Sequence, residues 1–250
     1  MNIYLTVVIP CYNELANLKR GVLDQVESYL KEQDFSWEVI ISDDASTDGS
    51  LDFVQSFVQT RPKFRLLKNP KGGKAFAVKS AVEKAMGEYV LFTDMDQSTP
   101  ITEFDKLKSF LDQGCQVVIG SRGFKRENFP LLRQIASPLF LTFRRLLILR
   151  NIHDTQCGFK CFKTELVLKV FQKLYVFKRP PGKGWRVGAW DVELLFVALK
   201  SNPPFKEITV EWSDTDTSTS KQRKFIRESI EMLTEVMRVR VNDLLGRYEI

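Results

Sequence analysis

Histidine is nearly missing from this chain: one residue, His153, in 250. The four cysteines, Cys11, Cys115, Cys157 and Cys161, form no Cys-x-x-Cys pair. Cys157, Cys161 and His153 lie close together, but a zinc site there lacks an evident fourth ligand. Reduced thiols in a cytoplasmic protein are the expected state. No run of about 18 apolar residues occurs, so no membrane-spanning helix is expected. The N-terminal segment, Met-Asn-Ile-Tyr-Leu-Thr-Val-Val-Ile-Pro, has no basic flank and reads as a strand, not a signal peptide. Neither Gly-x-Gly-x-x-Gly nor a Walker A loop is found, which argues against dinucleotide and P-loop enzymes.

What is present is basic and rich in phenylalanine. The net charge is +6, and 19 of the residues are Phe. An excess of positive charge points to an anionic partner: nucleic acid, a phosphorylated small molecule or an anionic bilayer. Residues 121–150 carry seven Lys/Arg against one acid, Glu127. There the basic side chains alternate with Leu, Ile and Phe, and stacking aromatics do not dominate, which disfavours nucleic acid. Leu139, Leu141, Phe143, Leu146, Leu147 and Leu149, mixed with Arg144, Arg145 and Arg150, suit a helix lying in a membrane interface. A core helix with a solvated basic edge fits the same pattern, and Pro138 would divide it in two.

Up to residue 120, short β-rich runs (5–10, 37–42, 64–67, 89–93 and 116–120) alternate with amphipathic stretches near 14–31, 48–60, 74–86 and 101–112. That alternation predicts right-handed βαβ units: an α/β fold with a mostly parallel central sheet and helices on both faces. Asp48 is expected to cap one helix, and Thr99 with Pro100 to supply the N-cap and first position of another. Further on, a strand at 159–162, helices at 164–173 and 190–200, a strand at 205–212 and a charged helix at 221–245 are predicted. Residues 1–212 would form the main domain, divided near 120, and 213–250 a loop and terminal helix.

In such sheets ligands collect at the carboxyl ends of strands. Asp94-Met95-Asp96 follows a predicted strand, and two carboxylates there suit Mg²⁺ or Mn²⁺ on a diphosphate. The same tripeptide is also a common solvated turn. Asp43-Asp44 precede Asp48 at another strand end; one could accept hydrogen bonds from a base or ribose, though a capped turn explains part of this acid run. Pro10-Cys11-Tyr12-Asn13-Glu14 ends the first strand, where Tyr12 could stack on a base and Glu14 could cap a helix. Lys71-Gly72-Gly73-Lys74 opens a helix whose N-terminus, with Lys74, favours anions.

In this order the motifs resemble the family 2 glycosyltransferases of GT-A fold. The matching marks are Val-Val-Ile-Pro-Cys-Tyr-Asn-Glu, Asp-Asp-Ala-Ser-Thr-Asp-Gly and Phe-Thr-Asp-Met-Asp. Asp-Met-Asp-Gln-Ser-Thr-Pro, Ile-Gly-Ser-Arg at 119–122, Asp-Thr-Gln-Cys-Gly-Phe-Lys at 154–160 and Trp-Asp-Val-Glu-Leu-Leu at 190–195 look like the dolichyl- and polyprenyl-phosphate sugar synthases, the β-glucosyltransferases above all. The resemblance implies that Pro10, Tyr12, Glu14, Asp43 and Asp44 hold the nucleoside. It implies that Asp94 meets ribose or diphosphate and that Asp96 binds the metal. Arg122 and Arg133 would grip the acceptor phosphate, and Asp191 with Glu193 would line the sugar end as catalytic-site acids. Two departures stand out: Ser98 occupies a place where some relatives supply a Gln metal ligand, and Gly73-Lys74-Ala75 replaces the usual Gly-Lys-Gly.

The implied activity is inverting transfer of glucose from UDP-glucose to dolichyl or polyprenyl phosphate. It would be assisted by Mg²⁺ or Mn²⁺, on the cytoplasmic face of a membrane, with a membrane-protein partner left open. The alternatives are a GDP-mannose donor, a sugar hydroxyl as acceptor, and a membrane-docked nucleotide-binding scaffold without turnover.

Overall fold

The computed structural model describes residues 3–123, 149, 152–178, 190–213 and 225–248, with side chains of 225–232 left aside. Seven strands form one mixed sheet in the order β3-β2-β1-β4-β6-β5-β7. They are β1 (Ile3–Cys11), β2 (Trp37–Asp43), β3 (Phe64–Lys68), β4 (Gly87–Phe92), β5 (Val117–Ser121), β6 (Lys160–Lys163) and β7 (Phe205–Thr209). β1 pairs in parallel with β2 and β4, β2 with β3, and β5 with β7. β6 alone runs antiparallel, between β4 and β5.

Alternation along β1 sorts its side chains onto two buried faces. Leu5, Val7 and Ile9 pack with Val22, Leu23, Val26, Val54, Phe104 and Leu107, which belong to the helices α2 (Val22–Lys31), α3 (Ser50–Val58) and α5 (Phe104–Leu111). Val8, with Ile40, Val90 and Phe92, faces α4 (Lys74–Val82), α6 (Thr164–Lys173), α7 (Trp190–Lys200) and α8 (Phe225–Leu244). A sheet covered on both faces reads as near-continuous apolar runs, as β2 does: it is buried throughout.

The predicted helix at 14–31 is two helices, α1 (Leu15–Lys19) and α2, because Gly21 takes a left-handed φ of 77°. A glycine adopts that conformation without steric penalty and ends a helix there. Two predicted caps also shift. Gly49, not Asp48, sits at the N-cap of α3; Asp48 instead accepts from Ser50 N at 3.0 Å and from Leu15 N at 3.0 Å, joining two helix starts. Pro100 takes the cap position expected of Thr99, and a 3₁₀ turn at Ile101–Glu103 precedes α5. Leu149, read as lipid-facing, is a buried core residue at 4% exposure. The rest of the proposed interfacial stretch, 131–148 and Arg150, lies outside the described residues, as does most of the loop predicted at 213–220.

Strand order places the chemistry. β1 leads outward to β2 and β3 on one side, and β4 lies on its other side, so the order reverses beside β1. Ligands gather in the crevice beyond the carboxyl ends at such a point. Because β6 is antiparallel, its first residue, Lys160, stands level with Phe92 of β4 and with Ile119 of β5. The segment leading into β6 therefore reaches the same end of the sheet as Asp94 and Arg122.

Candidate active site

The end of β1 and the end of β2 form one corner. Asp43 is 1% exposed; its Oδ2 accepts from Ser46 N at 3.1 Å, while its buried Oδ1 meets no donor among the described residues. A buried acceptor left unmatched costs about 1–3 kcal/mol, so a ligand N–H or O–H there would be stabilised by that amount. Burial, together with the charges of Asp43 and Glu14, pushes the Cys11 thiol up to about 12. Glu14 stands at the N-cap position of α1 without a capping side-chain bond; its Oε2 accepts from Asn17 Nδ2 at 2.6 Å. Tyr12 is 39% exposed, with the Lys71 ammonium over its ring.

Asp44 is occupied otherwise than the nucleoside-holding role anticipates. Its Oδ1 accepts from Gly72 N at 2.7 Å and Gly73 N at 2.9 Å, and its Oδ2 accepts from Lys71 Nζ at 2.9 Å. Those three donors tie the glycine turn to β2. Asp44 thereby fixes where α4 begins, and the first residue of α4 is Lys74.

Lys74 reaches across to Asp94, Nζ to Oδ1 at 2.5 Å. Burial alone would lower the ammonium pKa; the charges of Asp94, Asp191 and Asp96 outweigh it and raise it. Of these, Asp94 is the one in hydrogen-bond contact with the ammonium. Past Asp94 the chain turns sharply: Gln97 has a φ of 52°, and Ser98 N donates to Asp96 Oδ1 at 2.9 Å. Ser98 is buried, and its carbonyl accepts from Ser213 N at 2.9 Å, so its backbone closes this turn.

Asp94 and Asp96 are partly exposed hard-oxygen donors at a strand mouth. Among the described residues no three His, Cys, Asp or Glu converge as a complete metal cage. Mg²⁺ and its analogues are commonly held by one or two carboxylates, the remaining oxygens coming from substrate phosphates and water. The pair fits a divalent cation of that kind.

Arg122, just beyond β5, is clamped by Asp154: Nε to Oδ2 at 2.7 Å, Nη2 to Oδ1 at 2.8 Å, and Arg122 N to Oδ2 at 3.1 Å. Burial raises the Asp154 pKa, but the Arg122 hydrogen bonds and charge dominate and hold it well below the usual carboxylate range. A two-pronged clamp fixes the guanidinium plane. Its carbon lies 5.7 Å from the ring centre of Trp212. Arg133 lies outside the described residues.

Asp191 and Glu193 part company. Asp191, in the first turn of α7, is 3.4 Å from the Nζ of Lys160, a lysine only 1% exposed. Glu193 is fully buried and accepts from Tyr175 N at 2.6 Å, Val176 N at 3.2 Å, Arg238 Nη2 at 3.0 Å and Tyr248 OH at 2.6 Å. Those four donors hold its carboxylate among Tyr175, Val176, Arg238 and Tyr248, whereas Asp191 meets Lys160. Residues two apart on a helix point about 200° away from each other, which is why the pair divides.

Lys160, Asp154 and Gly158 carry no separate role in the sequence reading. The signal was the motif at 154–160, whose parts touch Arg122, Asp94 and Asp191.

A mixed sheet with this strand order, a carboxylate pair after β4 and a lysine from the neighbouring helix start define a GT-A glycosyltransferase. The same fold occurs in glucosyl-3-phosphoglycerate synthase from Mycobacterium tuberculosis, solved with Mn²⁺, uridine diphosphate and glucosyl-3-phosphoglycerate: TM-score 0.63, 18% identity, 96% of this chain and 80% of that one. Residues 6–171 match the model of glycosyl transferase family 2, and the chain belongs to that family. It is 34% identical to a dolichyl-phosphate beta-glucosyltransferase of Dictyostelium discoideum, over all of this chain and 77% of the relative. It is 30% identical to the protein of that name from Saccharomyces cerevisiae, over 98% and 77%.

Proposed function

We propose that the chain moves glucose from UDP-glucose to the phosphate of dolichol or a related polyprenol, giving a β-linked lipid-phosphate sugar at a membrane face. The observation that carries this reading is the similarity to dolichyl-phosphate beta-glucosyltransferases over the whole chain, coupled to the Lys74–Asp94 pair and Asp96 at the mouth of β4.

The unmatched Asp43 Oδ1 suits a nucleoside N–H or hydroxyl, with Tyr12 and Pro10 beside it. Lys74 supplies positive charge toward the diphosphate, where negative charge grows as the bond to the sugar breaks. Asp94 and Asp96 would hold a divalent cation, which when bound adds further counter-charge there. Glucosyl-3-phosphoglycerate synthase, a neighbour in fold, binds Mn²⁺ and UDP.

A phosphate monoester has a second pKa of about 6, so near neutrality its attacking oxygen is already largely ionised. It needs placement more than a base. Arg122, its plane set by Asp154, keeps one nitrogen outside the clamp that can face that phosphate. Asp191 orients sugar hydroxyls. In-line attack at the anomeric carbon, as the bond to the diphosphate breaks on the opposite side, inverts its configuration.

The test is a panel of radiolabelled nucleotide sugars, UDP-glucose and GDP-mannose included, offered with dolichyl phosphate with and without Mn²⁺. The expected result is organic-soluble label from UDP-glucose alone, suppressed by chelator and lost in D96A. Label from GDP-mannose would replace the donor, and no organic-soluble label from any donor would defeat the reading.

A further inference from the structure

The candidate site draws its charged groups from four elements: Lys74 from the start of α4, Asp94 after β4, Arg122 after β5 and Asp191 in the first turn of α7. One short segment, 154–160, touches three of them. Asp154 clamps Arg122. Lys160 Nζ lies against Asp191 and donates to the carbonyl of Cys157 in the same segment. Gly158 lies against Asp94. The antiparallel course of β6 makes this reach available, because its first residue is level with the ends of both β4 and β5.

At Gly158 the fit is decided by a single absent carbon. A Cβ built there would lie 2.2 Å from Asp94 Oδ2, 2.7 Å from its Cγ and 3.0 Å from its Oδ1. Any side chain must therefore displace the carboxylate, the backbone or both. The Asp94 carboxylate has limited freedom to retreat, since its Oδ1 already meets Lys74 Nζ. Gly158 has no left-handed φ to explain it. Its reason is the close approach of backbone to a functional carboxylate.

We propose that Gly158 is a positioning residue: it seats the Asp94 carboxylate against Lys74 in the geometry that receives the donor diphosphate and its cation. The segment that seats Asp94 also clamps Arg122 and meets Asp191, so donor-side and acceptor-side groups share one backbone reference. The inference rests on the donor reading above, but its test is made by binding, without turnover.

The test measures UDP affinity by calorimetry on the full chain, with and without Mn²⁺, for wild type, G158A, D94A and the double variant. In G158A the Mn²⁺-dependent affinity is expected to fall about tenfold or more, a change of about 1.4 kcal/mol per decade. In the D94A background the carboxylate that clashes is gone, so the added alanine is expected to change UDP affinity and melting temperature by little. That non-additivity separates a positioning role from a general packing defect. Wild-type Mn²⁺-dependent affinity in G158A, or an equal loss in both backgrounds, would overturn the proposal. Wild-type UDP binding without formation of glycolipid would instead count against the acceptor reading and leave this test intact.

Discussion

At the scale of single residues, the buried ion pairs divide into those that hold the fold and those that aim a functional group. Asp154 does both, through three hydrogen bonds to Arg122. Its folded pKa lies below the ordinary aspartate value of about 3.9, so the folded state binds its proton less readily than the unfolded chain. The resulting stability is fully present above the unfolded pKa and is lost as pH falls toward the folded one. Wild type is therefore expected to exceed D154N in melting temperature by a constant margin above about pH 5, and the margin should shrink steadily below about pH 4. Thermal melts of both proteins across that range check it. A margin that grows with acid would mean that Asp154 is not the depressed partner.

Among the elements, α7 acts as a divider. Its first turn gives Asp191 to the crevice, and Glu193, just over half a turn further round, binds the 3₁₀ turn at Tyr175–Lys178, α8 and the residue Tyr248 beyond it together through Tyr175, Val176, Arg238 and Tyr248. Truncating one member of a buried charge network leaves the others desolvated, at a cost of about 3–5 kcal/mol. E193A is expected to melt lower by on the order of 10 °C. The folded fraction should nevertheless bind UDP as wild type does, which calorimetry on the refolded protein at low temperature would measure. Lost UDP binding with an unchanged melting temperature would return Glu193 to the crevice.

These elements also mark how far sequence alone reaches. β1, β2 and β4 were legible because strands buried on both faces are apolar almost throughout, and α6 because its apolar residues recur at helical spacing. The split at Gly21 was not, since an isolated glycine inside a helical pattern is tolerated and does not by itself mark a break. The strand at β6 was legible, but its antiparallel direction was not: a four-residue strand, Lys-Cys-Phe-Lys, carries no signal of direction, and its place between β4 and β5 is set by tertiary pairing. That direction is what carries Lys160 and Gly158 to the active end. That Asp43, Lys74, Asp94 and Asp96 stand at strand ends and a helix start was legible from motifs, because such ends are local in sequence. The hydrogen-bond partners of Asp44 and Glu193 were not legible, because a carboxylate in a motif does not reveal which backbone and side-chain donors the fold brings to it.

On the scale of the whole molecule, charge is the property that composition states and the fold distributes. The chain carries a net +6, yet Asp94 and Asp96 stand together at the mouth of β4, with Lys74 paired to Asp94. Seven basic residues fall within 121–150, the region leading from Arg122 toward Asp154. No helix among the described residues is long and apolar enough to cross a membrane. If the acceptor is a lipid phosphate, attraction to an anionic surface is the force the sequence supplies, at about 1 kcal/mol for each basic residue near the surface. The full chain is expected to sediment with vesicles containing about one-third phosphatidylserine and to remain in solution with neutral phosphatidylcholine vesicles. Its binding should weaken strongly as salt rises from about 0.1 M to about 1 M, over which the screening length falls from about 10 Å to about 3 Å. Replacing Arg144, Arg145 and Arg150 by glutamine should reduce sedimentation without altering UDP affinity. Equal, salt-insensitive binding to neutral vesicles would reject charge as the anchor and direct attention to the exposed Leu233, Met237, Val241 and Leu244 of α8.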